Sequence, residues 1–262
     1  MLLAFSSPPF YTTYVRLPEE DEPIPTPIYN DPRYHPFFDH ALGAADGSHI
    51  VTALPLDERS ASRNRKGGIS QNRHRRLPST DSTVFQMARQ ADFRVPGDRY
   101  YLADAGYGFV DVLLVPYRGV RYHLAEWGRA GLKPVNKEEL FNLRHAKLRN
   151  AIERIFGILK KRFPILRAGC EYDMKYQVRL PPALCALHNF IRIYDPSEIQ
   201  DFQDVQGDPD RAPQTGELAE GPATRAERSR ADSRRDYIAQ TMWESYQGWL
   251  RQAEAGEDEQ ME

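Results

Sequence analysis

The amino-acid sequence predicts an α/β fold, a mixed sheet flanked by helices, and three patterns predict it. Two short apolar runs, residues 42–51 and 100–107, have the length and flanks of buried strands, and each delivers an aspartate, Asp46 and Asp104. A long helical pattern follows from Lys137 to about Phe163, where Leu148, Ile152, Ile155 and Leu159 recur at spacings of four, three and four. Near the C-terminus Ile238, Met242, Tyr246 and Trp249, at spacings of four, four and three, predict an amphipathic helix too aromatic to face water alone. The 262 residues, 40% hydrophobic and 27% charged, suit one globular domain with tails.

Taken in order, residues 1–36 are rich in Pro and aromatics, as in Ser7-Pro8-Pro9-Phe10-Tyr11, and read as an extended lead-in without a core of its own. The strand carrying Asp46 opens the main domain, expected over residues 37–195. A polar loop then gathers Arg63, Arg65, Lys66, Arg73, His74, Arg75 and Arg76. Ser79, Thr80 and Asp81 offer N-caps for a helix through Val84, Phe85, Met87 and Ala88, stopped before Pro96-Gly97. The second strand ends at Asp104, residues 108–136 read as irregular, and Pro164 ends the long helix. Leu184, Leu187, Phe190 and Ile191 mark a buried helix to about Tyr194. Residues 196–228 read as a disordered acidic linker, and 229–262 as the amphipathic helix with an acidic tail.

Composition narrows the function. No apolar run approaches the ~18 residues of a membrane span, and Met1-Leu2-Leu3-Ala4-Phe5 lacks the basic and apolar regions of a signal peptide, so neither membrane nor secretion is expected. Cys170 and Cys185 make no disulfide framework. The formal net charge of −2 conceals an asymmetry: residues 199–262 hold 15 acidic and 7 basic residues, whereas the preceding 198 hold 28 basic and 22 acidic. A basic body with an acidic tail suits a polyanionic partner.

Asp46, Asp104 and Glu153 each stand where the local pattern calls for an apolar or neutral residue. Three converging carboxylates repel one another and need a cation; two Mg²⁺ or Mn²⁺ ions ~3.5–4 Å apart would satisfy them and serve phosphodiester chemistry. Around Glu153, residues 144–162 carry Arg144, Lys147, Arg149, Arg154, Lys160, Lys161 and Arg162 with no other acid. Such a helix suits DNA backbone contact, and a solvated basic face has the same composition. Arg118 and Arg121, in a Gly-containing loop, suit phosphate clamping or plain solvation. His49 and His123 fit either phosphate orientation or a structural role. Zinc on Cys185 and His188, with Cys170 and His145 elsewhere, is disfavoured because the first pair lies on an apolar helix without CxxC spacing.

At these residues the sequence resembles a known family. The blocks are Asp46-Gly47-Ser48-His49, Arg65-Lys66-Gly67, Ser70-Gln71-Asn72, residues 79–85 and 100–107, Pro116-Tyr117-Arg118-Gly119-Val120-Arg121-Tyr122-His123-Leu124, Phe141-Asn142-Leu143-Arg144-His145, Leu148-Arg149-Asn150-Ala151-Ile152-Glu153-Arg154-Ile155-Phe156-Gly157 and Leu187-His188-Asn189-Phe190-Ile191. In this order they resemble the Harbinger/PIF-type transposases, DDE superfamily endonucleases with a ribonuclease H-like core. The resemblance implies Asp46, Asp104 and Glu153 as the metal-binding catalytic acids, Mg²⁺ or Mn²⁺ as cofactor, DNA as substrate and the nucleus as location. The implied reaction is hydrolysis at transposon ends followed by attack of the freed 3′ hydroxyl on target DNA. Phosphate contacts are expected from Arg118, Arg121, Arg144, Lys147, Arg149, Arg154 and Lys160.

Two departures qualify that expectation. About thirty Pro-rich residues stand where the family has a helix-turn-helix, so specific DNA recognition is expected to be missing or supplied by a separate DNA-binding partner protein. Between Asn72 and Ser79 the family has two strands, and here Arg73-His74-Arg75-Arg76-Leu77-Pro78 leaves no room for strands of ~5–6 residues. The expected core therefore lacks two strands, with the Asp46 strand at an exposed edge. The competing expectation is a catalytically inactive remnant that at most binds DNA or a protein.

Overall fold

Tyr100, Leu102, Leu113 and Leu114 are all buried, and strands enclosed on both faces require such near-continuous apolar runs. The computed structural model describes residues 1–51, 70–71, 81–121, 133–170, 172–207 and 224–258. The basic cluster at 63–76, the junction between Asn72 and Ser79, His123 and residues 208–223 of the expected linker lie wholly or almost wholly outside them. Five strands are described: β1 (Ala41–Ala44), β2 (Ile50–Val51), β3 (Ser70–Gln71), β4 (Tyr100–Leu102) and β5 (Leu113–Leu114). The chain divides into two units, one of Met1–Glu19, Asp46–Phe93 and Asn150–Gln214, the other of Glu20–Ala45, Arg94–Arg149 and Thr215–Glu262.

The second unit holds a parallel sheet of order β1-β4-β5, with Ala44 opposite Leu102 and Leu102 opposite Leu114. Among the described strands β1 lies at one edge of this sheet. Helices flank the sheet. The helix Lys137–Arg162 supplies Leu140, Phe141 and Leu148, and the C-terminal helix Arg225–Asp258 supplies Ile238, Ala239 and Met242, to a core shared with Phe38, Tyr100, Leu102 and Leu114. The apolar face foreseen on the C-terminal helix is thus buried through Ile238 and Met242, whereas Trp249 is 60% exposed. Arg235 of that helix lies between two rings, its guanidinium carbon 3.9 Å from the Tyr117 centroid and 4.7 Å from that of Phe109.

In the first unit the helix Leu180–Tyr194 packs against Leu2–Phe5 and Phe10–Tyr14. Phe10 and Tyr14 meet Phe190 at 5.8 and 5.2 Å between ring centroids, and the Asn189 amide donates to the Tyr14 carbonyl at 2.7 Å. Residues 1–36 are therefore not an extended lead-in. The prolines bound single helical turns, Pro9 and Pro25 standing at N-caps where a missing N–H costs nothing, and aromatic burial supplies the rest.

Other expectations change for identifiable reasons. The run 42–51 is not one strand: β1 ends at Ala44, and β2 pairs antiparallel with β3. Between them the Asp46 carboxylate accepts the Gly47 N–H at 2.9 Å, a local bond that competes with ladder pairing. Residues 113–114, expected to be irregular, form β5; the run Val112-Leu113-Leu114-Val115 was its signal. Ile155 is exposed; Leu159 of the same stripe is buried, and Ile158, outside the stripe, is buried with it. The stretch taken as a linker opens with a 3₁₀ helix, Pro196–Phe202, and the C-terminal helix already starts at Arg225.

Removing the Met242 side chain should lower the unfolding free energy by about 2–5 kcal/mol, as for other buried Met→Ala changes. Trp249→Ala, which empties no core space, should change it by no more than about 0.5 kcal/mol in the same urea titration.

Candidate active site

Asp104 follows β4 by two residues. The ladder carries on past the strand, Ala103 donating its N–H to the Leu114 carbonyl at 3.0 Å and Ala45 to that of Leu102 at 2.8 Å, so the chain reaches Asp104 still held by the sheet. The C-terminal edge of parallel strands is where α/β proteins place reactive groups. Asp104 is 2% exposed. One of its oxygens accepts the Gly106 N–H at 2.7 Å, and the other faces the Arg149 guanidinium at 3.6 Å, both side chains being almost wholly buried. Arg118, on the following loop, donates to the Ala105 carbonyl at 2.7 Å and ties down the turn after Asp104.

Arg149 is the last member of a polar row on the helix Lys137–Arg162. Asn142, His145 and Arg149, three and four residues apart, lie on one face and are each at most 1% exposed. The Asn142 amide accepts the Tyr117 N–H at 2.8 Å and donates to the Tyr117 carbonyl at 3.0 Å. His145 donates from Nε2 to the Leu114 carbonyl at 2.9 Å. Burial pushes the His145 pKa down to about 3; the Leu114 carbonyl opposes the shift, and the Arg149 and Arg235 charges add to it. This imidazole is a neutral structural group.

The other two acids belong to the first unit. Asp46 is half-buried and bonded to the next backbone N–H. Glu153, also half-buried, lies against Gly207: a Cβ on that glycine would come within 3.9 Å of the Glu153 Cβ and 4.0 Å of its Oε2. In the same unit Arg162 donates to His188 Nδ1 at 2.7 Å and pairs with Glu198, so His188 is neutral and its Nδ1 is an acceptor. Burial, then the Arg162 and Arg192 charges, bring the His188 pKa to about 4.

The basic residues divide by exposure. Lys147 and Arg118 are exposed, Arg121 and Arg154 half-buried. Arg144 is half-buried over the Phe37 ring at 5.7 Å, and desolvation lowers its pKa. Arg149 and Lys160 are buried, and neither offers its charge to a phosphate from the surface. Sequence reasoning missed the ion pair of Arg149 with Asp104, since Arg149 sits within a run of bases that reads as one basic helix.

Asp104, as its partners hold it, does not fit a bound divalent cation. Hard cations need free carboxylate lone pairs, but the oxygens of Asp104 meet an N–H and a buried guanidinium whose charge would repel the ion. Among the described residues no group of three or more His, Cys, Asp and Glu could hold a metal ion.

Residues 70–189 match the family model of the DDE superfamily endonucleases. This segment is similar to a DDE endonuclease domain. The matched span contains Asp104 and Glu153 with the polar row between them, and leaves Asp46 outside. No curated protein and no solved structure matches the chain. Among the described residues no helix is long and apolar enough to cross a membrane.

Arg149→Met should destabilise the protein by about 3–5 kcal/mol, because it strands the Asp104 charge in the interior. Asp104→Asn/Arg149→Met should recover most of that loss in chemical denaturation; equal loss in both variants would sink the assignment of an energetic pair. The two histidines also set an acid limit. With folded pKa values of about 3 and 4, below the ~6.5 of a free histidine, their contribution is intact above pH ~6.5 and declines as pH falls. Between about pH 6.5 and 5 the unfolding free energy should drop by up to ~1.4 kcal/mol per pH unit for each histidine, and His188→Asn should halve the slope.

Proposed function

We propose that the chain is a DNA endonuclease derived from a Harbinger/PIF-type transposase, with a ribonuclease H-like core over residues 37–195. The observation that carries this reading is the DDE endonuclease match, which spans Asp104 and Glu153, together with the position of Asp104 at the C-terminal edge of a parallel sheet. The reaction is hydrolysis of a DNA phosphodiester: a water oxygen bonds to phosphorus, the P–O3′ bond breaks, and the freed 3′ hydroxyl can attack a target strand. Asp46, Asp104 and Glu153 are the acids of this proposal. Arg118, Arg121, Lys147 and Arg154 meet backbone phosphates from positions at least partly open to solvent. The partner for site recognition is a separate DNA-binding protein, and the nucleus is the location. Mg²⁺ or Mn²⁺ as cofactor rests on the likeness to DDE endonucleases.

One observation favours a second reading, a catalytically inactive remnant that binds DNA or a protein at most. The buried Asp104–Arg149 pair supplies from within the chain the countercharge that a cation would otherwise provide.

A thermal melt with and without Mn²⁺, alongside Glu153→Gln and a plasmid-nicking assay, separates the two. For the enzyme, Mn²⁺ raises the wild-type midpoint but not that of Glu153→Gln, and only wild type nicks DNA. For the remnant, Mn²⁺ shifts neither midpoint, no nicking occurs, and DNA binding survives the substitution.

A further inference from the structure

The segment after the helix Leu180–Tyr194 turns back along the C-terminal half of the helix Lys137–Arg162. It carries Asp195, Glu198, Asp201 and Asp204 at intervals of three residues. Pro196–Phe202 is a 3₁₀ helix, in which residues three apart eclipse one another about 6 Å apart, so Glu198 and Asp201 lie on one side of it. Glu198 pairs with Arg162, and Asp204 accepts from Lys161 at 2.7 and 3.0 Å. Phe202 is buried, with the Lys161 ammonium 5.5 Å and the Arg162 guanidinium 5.0 Å from its centroid. Beyond it Gly207 reaches the turn of Glu153 and Gly157.

Glu153, Gly157 and Lys161 succeed one another at intervals of four and so share one face of the helix. The segment packs along that face, burying Gly157 and leaving Lys161 partly open. Gly157 is what admits it: a Cβ there would run into the Gly207 carbonyl and the Val205 side chain. This explains a glycine inside a long helix, where alanine is intrinsically better. The attachment is anchored at Phe202 and the Arg162–Glu198 pair and is open elsewhere. Among the described residues of 196–207 only Phe202 is buried, and the Lys161–Asp204 pair is open to solvent, its side chains 45% and 73% exposed. Exposed pairs of this kind are weak and screened by salt.

We propose that residues 195–207 form an acidic strap, which occupies within the chain the helix face on which a nucleic-acid backbone docks beside Glu153. The proposal rests on the DNA reading above and adds its regulation: DNA and strap compete for Lys161 and Arg162, and Glu153, half-buried beside Gly207, opens fully when the strap lifts.

The test uses the full chain and a fluorescein-labelled double-stranded DNA oligonucleotide at low salt, read by fluorescence anisotropy. Gly157→Ala changes no charge and favours the helix, while its methyl group displaces Gly207. It should bind DNA several-fold more tightly than wild type. Chymotrypsin should cut after Phe202 faster in the variant, and in wild type once DNA is added. Glu198→Gln/Asp204→Asn should tighten binding more than the charge-matched Glu19→Gln/Asp21→Asn, and it decides the matter if Gly157→Ala loses its helical circular dichroism. Wild type and both strap variants binding DNA equally would overturn the strap and leave the DNA reading standing. No DNA binding by any of them would overturn both.

Discussion

Moving a carboxylate and a guanidinium out of water costs several kcal/mol per ion, and the second unit is arranged so that Asp104 and Arg149 bear that cost together. The aspartate arrives on the central strand of the sheet and is steadied by the Gly106 N–H; the arginine arrives on the helix Lys137–Arg162. Asn142 and His145 extend the constraint along that helix, joining it to the Tyr117 backbone and to the Leu114 carbonyl. Apolar contacts of Phe141, Leu140 and Met242 would tolerate small shifts of helix on sheet. The polar row does not, because any other register would bury unpaired groups.

This constraint bears on chemistry as well as stability. A carboxylate at the end of a parallel strand is poised for catalysis, but one whose charge is met by a buried guanidinium is not in the state that a divalent ion needs. The arrangement thus joins a segment similar to a DDE endonuclease domain to an acid whose charge is already met. The first unit repeats the theme at its surface, where Lys161 and Arg162, well suited to phosphates, are engaged by Asp204 and Glu198. Acidic side chains of the same protein meet the positive charge in both places.

Much of this was readable before any coordinates. An apolar run ending in aspartate located β4, the run 42–51 marked β1 without its end, Pro164 bounded the long helix, and the ordered motifs pointed to the DDE endonucleases. These features are local: periodicity, helix stops and short motifs are carried by neighbouring residues. The helical turns at Leu2–Phe5 and Phe10–Tyr14 were not readable, because Pro-rich composition argues against helix and the distant ring of Phe190 provides the burial that offsets it.

The same division explains the basic helix. Its composition announces a positively charged surface, and that is as far as composition reaches. Whether a given base serves solvent, phosphate or the interior depends on what the fold brings opposite it: Lys147 meets water, Arg149 meets Asp104, and Arg162 meets His188 and Glu198. Charges are placed by partners far away in the chain, because an ion enters the interior only where another element supplies its countercharge. Which residues share a face was written in the order of amino acids, and what each face meets was settled by tertiary packing.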